Sequence, residues 1–152
     1  MNEKKQELIA PCGMNCGICM SYLALKNEVP KRPYIVSYCK GCRPRDKKCA
    51  FLKKRCKKLL DHEVEFCFEC EDFPCESLKH LDKKYKTAYE YPYSFIKTLK
   101  MIKEIGIEET LQKLENQHTC KKCGQNLCIH NNLCYNCDKE TLATMDNYRN
   151  KK

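Results

Sequence analysis

At 152 residues the chain has room for one domain, or a domain and a small module, and 15 of those residues are cysteine. Charged residues make up 32% of it and tryptophan is absent; large aliphatics are too thinly spread for an ample core, and no stretch has the length of a signal-peptide core or a membrane span. In the reducing cytoplasm such cysteines are expected to bind metal rather than form disulfides, and an odd count forbids complete internal pairing. Metal ligation then supplies the folding free energy that a thin core lacks.

The first cysteines stand in PCGMNCGIC, where Cys16 and Cys19 make a C-x-x-C pair four residues after Cys12. Cys39 and Cys42 make a second pair, with nineteen residues between the two. That spacing predicts a four-thiolate site, in which Cys12 could displace Cys16 or Cys19. Cys12, Cys16 and Cys19 also have the spacing of a radical-SAM cluster loop, but the chain is far too short for the barrel that such enzymes use.

Charge is segregated next. Nine basic residues against one acid run from Arg43 to Lys58, and seven acids with no Lys or Arg run from Asp61 to Glu76. Two solvated faces that pair with each other, or a basic patch for an anionic partner, would both produce this. The basic run threads between Cys42, Cys49 and Cys56, which favours a local role, because cations beside thiolates lower thiol pKa. The formal charge of +9 argues only weakly for nucleic acid. Three sites of four thiolates around a divalent ion, each carrying about −2, would leave roughly +3.

Cys49-AFLKKR-Cys56 reads as helix, with Leu52, Cys56, Leu59 and Leu60 on one face. Along such a helix Cys49 and Cys56 stand about 10 Å apart, too far to share one ion through bonds of about 2.3 Å. Cys56 is therefore grouped with Cys67 and Cys70, a third C-x-x-C, and with Cys75 after Pro74. Cys49 remains an alternate ligand, as does Cys12.

Residues 76–119 hold no cysteine and read as three helices. Ser77 is the expected N-cap of the first, which carries Leu78, Leu81, Tyr85 and Ala88 or Tyr89 and ends before Pro92. Ser94 is expected to cap the second, with Phe95, Ile96, Leu99, Ile102 and Ile105 on its stripe and Gly106 as its stop. A short third carries Ile107, Leu111 and Leu114. These stripes, and the aromatic run Tyr89, Tyr91, Tyr93 and Phe95, are expected to form core rather than a ligand groove.

Cys120 and Cys123, then Cys134 and Cys137 after ten intervening residues, have the form of a zinc ribbon, with Gly124 permitting the turn. Four thiolates complete that shell, so Cys128 and His130 are read as spectators. All three predicted shells are closed, and closed four-thiolate zinc is structural rather than catalytic. No hydrolytic constellation accompanies them: His62, His80, His118 and His130 are scattered, and Glu63, Glu65, Glu69, Glu71 and Asp72 read as a solvated acidic turn. Short paired knuckles favour zinc over an iron–sulfur cluster, the main alternative. A thiol redox role lacks the surrounding alternation of strands and helices.

The segments CGMNCGIC, CKGC, CAFLKKRC and FCFECEDFPC, then a helical stretch with Lys103 to Gly106, then CKKCGQNLCIHNNLCYNC, resemble the Cys-rich prokaryotic family catalogued as domain of unknown function number 3795. The resemblance spans about Pro11 to Asp138. It implies a bacterial or archaeal metal-binding protein and adds no catalytic residue.

The expected protein is mainly α with small β-hairpin zinc knuckles, a small metal-organised domain with irregular Cys-rich loops. It divides into a Cys-rich metal-binding region over 11–80, a helical segment over 81–117, a zinc-ribbon-like module over 118–138 and a partly disordered tail over 139–152. About three zinc ions are expected on Cys16, Cys19, Cys39, Cys42, on Cys56, Cys67, Cys70, Cys75, and on Cys120, Cys123, Cys134, Cys137. The expected role is that of a non-enzymatic, cytoplasmic interaction module with a protein partner, nucleic acid being the weaker choice. An iron–sulfur or thiol redox protein is the alternative.

Overall fold

The computed structural model of the chain describes residues 7–30, 38–43, 56–88, 93–115 and 117–144. Cys49, Leu52, Tyr89, Tyr91, Pro92 and most of the basic run lie outside them.

The N-terminal cysteine loop is held by its own backbone. Ala10 N–H donates to the Met14 carbonyl and Gly13 N–H to the Ala10 carbonyl, both at 2.9 Å. Gly13 has φ +92°, and a Cβ there would stand 2.8 Å from the Phe95 carbonyl oxygen, so this position requires glycine on two counts. Asn15 Oδ1 then accepts from Gly17 N–H at 2.9 Å and starts a 3₁₀ turn over Cys16–Ile18, after which helix α1 runs Met20–Lys26. A second 3₁₀ turn over Cys67–Glu69 repeats the arrangement behind helix α2, Lys57–Leu60.

Cys56 precedes α2 with extended backbone, φ −100° and ψ 109°. The helical face expected to join Cys56 to Leu59 is therefore broken at Cys56, whose side chain instead lines a cavity with Cys67. Residues 49–55 of that predicted helix lie outside the described residues.

Helix α3 spans Glu76–Ala88 and α4 spans Phe95–Glu115. The expected cap at Ser77 is displaced: the Cys75 carbonyl accepts from Lys79 N–H at 2.9 Å, so the helix starts at Glu76, two residues earlier. Ser94 caps α4 as expected, its Oγ accepting from Lys97 N–H at 3.0 Å. The two helices predicted on either side of Gly106 run on from each other within α4. Gly106 interrupts the helical geometry there with φ 86° and ψ 168°.

The apolar stripes meet as core. Leu78, Tyr93, Phe95 and Leu99 are buried with Ala10, Ile18 and Ile129, while Leu81 and Tyr85 pack against them. Tyr93 and Tyr85 both meet the Phe95 ring edge-on, at 5.4 and 4.8 Å between centroids. Ile9, Ile102 and Leu111 bury a second cluster. A third joins α1 to the C-terminal region through Leu23, Ala24, Tyr135 and Leu142. Leu142 belongs to helix α5, Lys139–Thr144, which forms where the tail was expected to begin.

The β-hairpin knuckles are not found among the described residues. Among the described residues the only β pairing is two isolated antiparallel bridges, Ile9 with Asn15 and Thr119 with Asn126. The turns between cysteines are too short and too rich in glycine and asparagine to extend a ladder. No helix among the described residues is long and apolar enough to cross a membrane.

Candidate metal centre

The C-terminal site is built by two turns brought face to face. In the first, Cys120 N–H donates to the Gln125 carbonyl at 2.7 Å, Gly124 N–H to the Cys120 carbonyl at 2.9 Å, and Leu127 N–H to the His118 carbonyl at 2.9 Å. The chain reverses at Gly124, where φ is +79°. In the second, Asp138 fixes the position of Cys134 from both directions. Its Oδ2 accepts from Cys134 N–H and its own N–H donates to the Cys134 carbonyl, each at 2.8 Å. The Asp138 carbonyl also accepts from Leu142 N–H at 3.0 Å, tying this turn to the start of α5.

The sulfurs of Cys120, Cys123, Cys134 and Cys137 all lie within 4.8 Å of one another. Cys120 and Cys137 are 4.0 Å apart, and Cys123 and Cys134 are 3.5 Å apart. A tetrahedron with metal–sulfur bonds of about 2.3 Å has edges of about 3.8 Å, so the spacing fits one ion. The site is buried on one side and open on the other: Cys120 and Cys134 are buried, Cys123 and Cys137 exposed. Backbone donors already face the sulfurs, Cys137 N–H reaching Cys134 Sγ at 3.5 Å.

The thiols differ in acidity in a way that suits metal uptake. A backbone hydrogen bond from Gln125 is the chief cause that lowers Cys123 to about 7. Burial pushes Cys134 up, and the Cys123 sulfur is the leading cause that pushes Cys137 up to about 12. The first thiolate thus opposes ionisation of its neighbours. A divalent cation held by the four would remove that opposition and favour all four as thiolates.

Cys128 and His130 stand apart from this set, as expected. Cys128 is fully buried, and burial pushes its thiol up to about 12. It accepts from His130 N–H at 3.3 Å, while His130 Nε2 meets the Tyr85 hydroxyl at 3.0 Å. Their role is to seat the C-terminal loop against α1 and α3.

The N-terminal cysteines converge differently from their division by spacing. Cys12, Cys16, Cys42 and Cys67 are buried in one cluster, with Cys19, Cys56 and Cys75 packed against it. Cys67 N–H donates to the Pro11 carbonyl at 2.9 Å, which brings Cys67 beside Cys12. Spacing left Cys12 only as an alternate to Cys16 or Cys19, and no local motif announces this long-range bond. Gly41 N–H donates to Cys39 Sγ at 3.3 Å, a knuckle contact in the second pair. Among the described residues, neither Cys16, Cys19, Cys39, Cys42 nor Cys56, Cys67, Cys70, Cys75 meets the mutual 4.8 Å spacing of the C-terminal set. No disulfide is found among the described cysteines.

Two described residues of the basic run act locally. The Arg43 guanidinium donates to the Ile9 carbonyl at 2.7 Å and the Glu65 carbonyl at 2.9 Å, and lies 4.4 Å over the Phe66 ring. Lys58 Nζ reaches Cys70 Sγ at 3.5 Å. Lys58 is thus a cation of the basic run beside a cysteine sulfur, as expected, whereas Arg43 braces backbone and an aromatic ring.

No curated protein and no solved structure gives a significant match to this chain. Residues 8–80 match the family model described as protein of unknown function (DUF3795), which supports placing that segment in the family, while the Cys120–Cys137 centre lies beyond the match.

Proposed function

We propose that the chain is a zinc-stabilised, non-enzymatic module whose folded surface serves a partner in the cytoplasm. A protein is the first choice of partner and nucleic acid the second. The observation that carries the metal reading is the set of four sulfurs within 4.8 Å of one another at Cys120, Cys123, Cys134 and Cys137. That spacing favours zinc over an iron–sulfur cluster, because thiolates on separate irons must stand further apart, with the cluster's own atoms between them. Four protein ligands complete a tetrahedral shell and leave no position for water, which favours a structural role over a catalytic one.

Protein purified anaerobically and analysed for zinc, iron and sulfide tests this. Bound zinc in a colourless protein, with helical circular dichroism lost on chelation, is the expected result. Visible absorbance with stoichiometric iron and sulfide, or full helicity after complete metal removal, would overturn it.

A further inference from the structure

Four N-terminal cysteines surround one small cavity. Cys56, Cys67, Cys70 and Cys75 line about 30 Å³ of space together with the apolar side chains of Leu59 and Leu78, room for a guest the size of a single ion. The four come from three separate pieces of backbone. Cys67 and Cys70 bracket the second 3₁₀ turn, Cys70 N–H donating to the Cys67 carbonyl at 3.1 Å. Cys56 precedes α2, and Cys75 stands at the N-terminus of the 13-residue α3.

A charge at the rim gives a second, independent observation. Lys58 Nζ lies 3.5 Å from Cys70 Sγ, and a bond of this kind is expected where sulfur carries negative charge. Four thiolates around a divalent ion carry about −2, which a neighbouring ammonium partly offsets. Thiols crowded in an apolar hole are poorly solvated, and their thiolates repel; a soft divalent cation satisfies both.

We propose that Cys56, Cys67, Cys70 and Cys75 take up a second zinc-class divalent cation, with Lys58 offsetting its charge from the rim. Binding draws the four sulfurs to tetrahedral spacing around the cavity. This site lies in the segment that leads into α3 and shares no ligand with the C-terminal set.

Cobalt(II) titrated into metal-stripped full-length protein reads both centres, since tetrahedral thiolate cobalt gives intense sulfur-to-metal absorption. Cys67→Ser is expected to take up one cobalt fewer than the wild type, and Cys120→Ser with Cys123→Ser to lose a different one. Because Cys67 is buried, Cys70→Ser serves as the second variant. It should also lose one equivalent, with Cys70→His restoring it through a nitrogen ligand. Unchanged cobalt uptake in Cys70→Ser overturns the second centre, whereas unchanged uptake in the Cys120/Cys123 variant overturns the first and leaves the second standing.

Discussion

Ile129 N–H donates to the Ile18 carbonyl at 2.9 Å, joining the C-terminal loop to the first C-x-x-C turn across more than a hundred residues of chain. Asn126 Nδ2 adds a bond to the Gly17 carbonyl at 3.2 Å. The C-terminal four-cysteine centre therefore rests on the N-terminal turn through these bonds. Losing that centre should loosen both. In Cys120→Ser/Cys123→Ser, amide hydrogen exchange is expected to rise at Gly17, Ile18 and Cys19 as well as at residues 120–137. Exchange that rises within 120–137 and stays unchanged at Gly17, Ile18 and Cys19 would show that the two regions are energetically separate.

Tyr93 performs a related task inside the core. Its hydroxyl donates to the Gly13 carbonyl at 2.8 Å and accepts from Asn15 N–H at 3.1 Å, so one side chain from the start of α4 satisfies two backbone groups of the cysteine loop. Tyr93→Phe keeps the ring and its packing but leaves both groups buried without that partner. A loss of about 1–3 kcal/mol is expected from urea denaturation, the penalty for an unsatisfied buried polar group. An unchanged midpoint would mean that the loop finds other partners.

What the sequence made legible follows from how local each cause is. Ser94 as a cap, Gly106 as a break and the stripe Leu99 and Ile102 depend on neighbours within a turn or two, and the structure has them as expected. The set Cys120, Cys123, Cys134, Cys137 was legible because two short knuckles leave few ways to arrange four sulfurs. The contact of Cys67 with Cys12 was not, since it depends on a bond between Cys67 and Pro11 that no periodicity encodes. The helix is capped two residues before Ser77 because Cys75, placed there by its own loop, takes the first helical bond. The hairpins were expected by analogy with ribbons, and among the described residues single bridges stand in their place.

Two glycines with positive φ separate backbone strain from crowding. At Gly13 a Cβ would meet the Phe95 carbonyl oxygen at 2.8 Å and Leu99 Cγ at 2.9 Å, whereas at Gly124 it would meet nothing within 4 Å. Gly13→Ala should therefore cost about 2–4 kcal/mol, strain and overpacking together. Gly124→Ala should cost about 1 kcal/mol, from the left-handed conformation alone. Thermal melts of the two variants at saturating zinc check the order. Equal shifts would place the Gly13 loop elsewhere than against α4.

Asp82 gives a pH-dependent test outside the thiolate sites. The carboxylate is buried on α3 and accepts from the Ser94 hydroxyl at 2.9 Å and from Ile96 N–H at 3.1 Å, while Lys86 Nζ stands 3.0 Å away. Burial alone would raise its pKa. The hydrogen bonds from Ile96, Lys86 and Ser94 and the Lys86 charge outweigh that and hold it below the ordinary carboxylate value. A carboxylate lowered in the folded state contributes stability that is fully present above the unfolded pKa and lost as pH falls through the folded one. Asp82→Asn keeps an acceptor but no charge, so it should be less stable than the wild type by about 1 kcal/mol at neutral pH. That gap should close as pH falls below the ordinary aspartate range. Acid also releases thiolate-bound metal, so the informative quantity is the difference in stability between the two proteins at each pH. A gap that stays constant through the acid range would mean that the charge on Asp82 contributes nothing to holding α3 against α4.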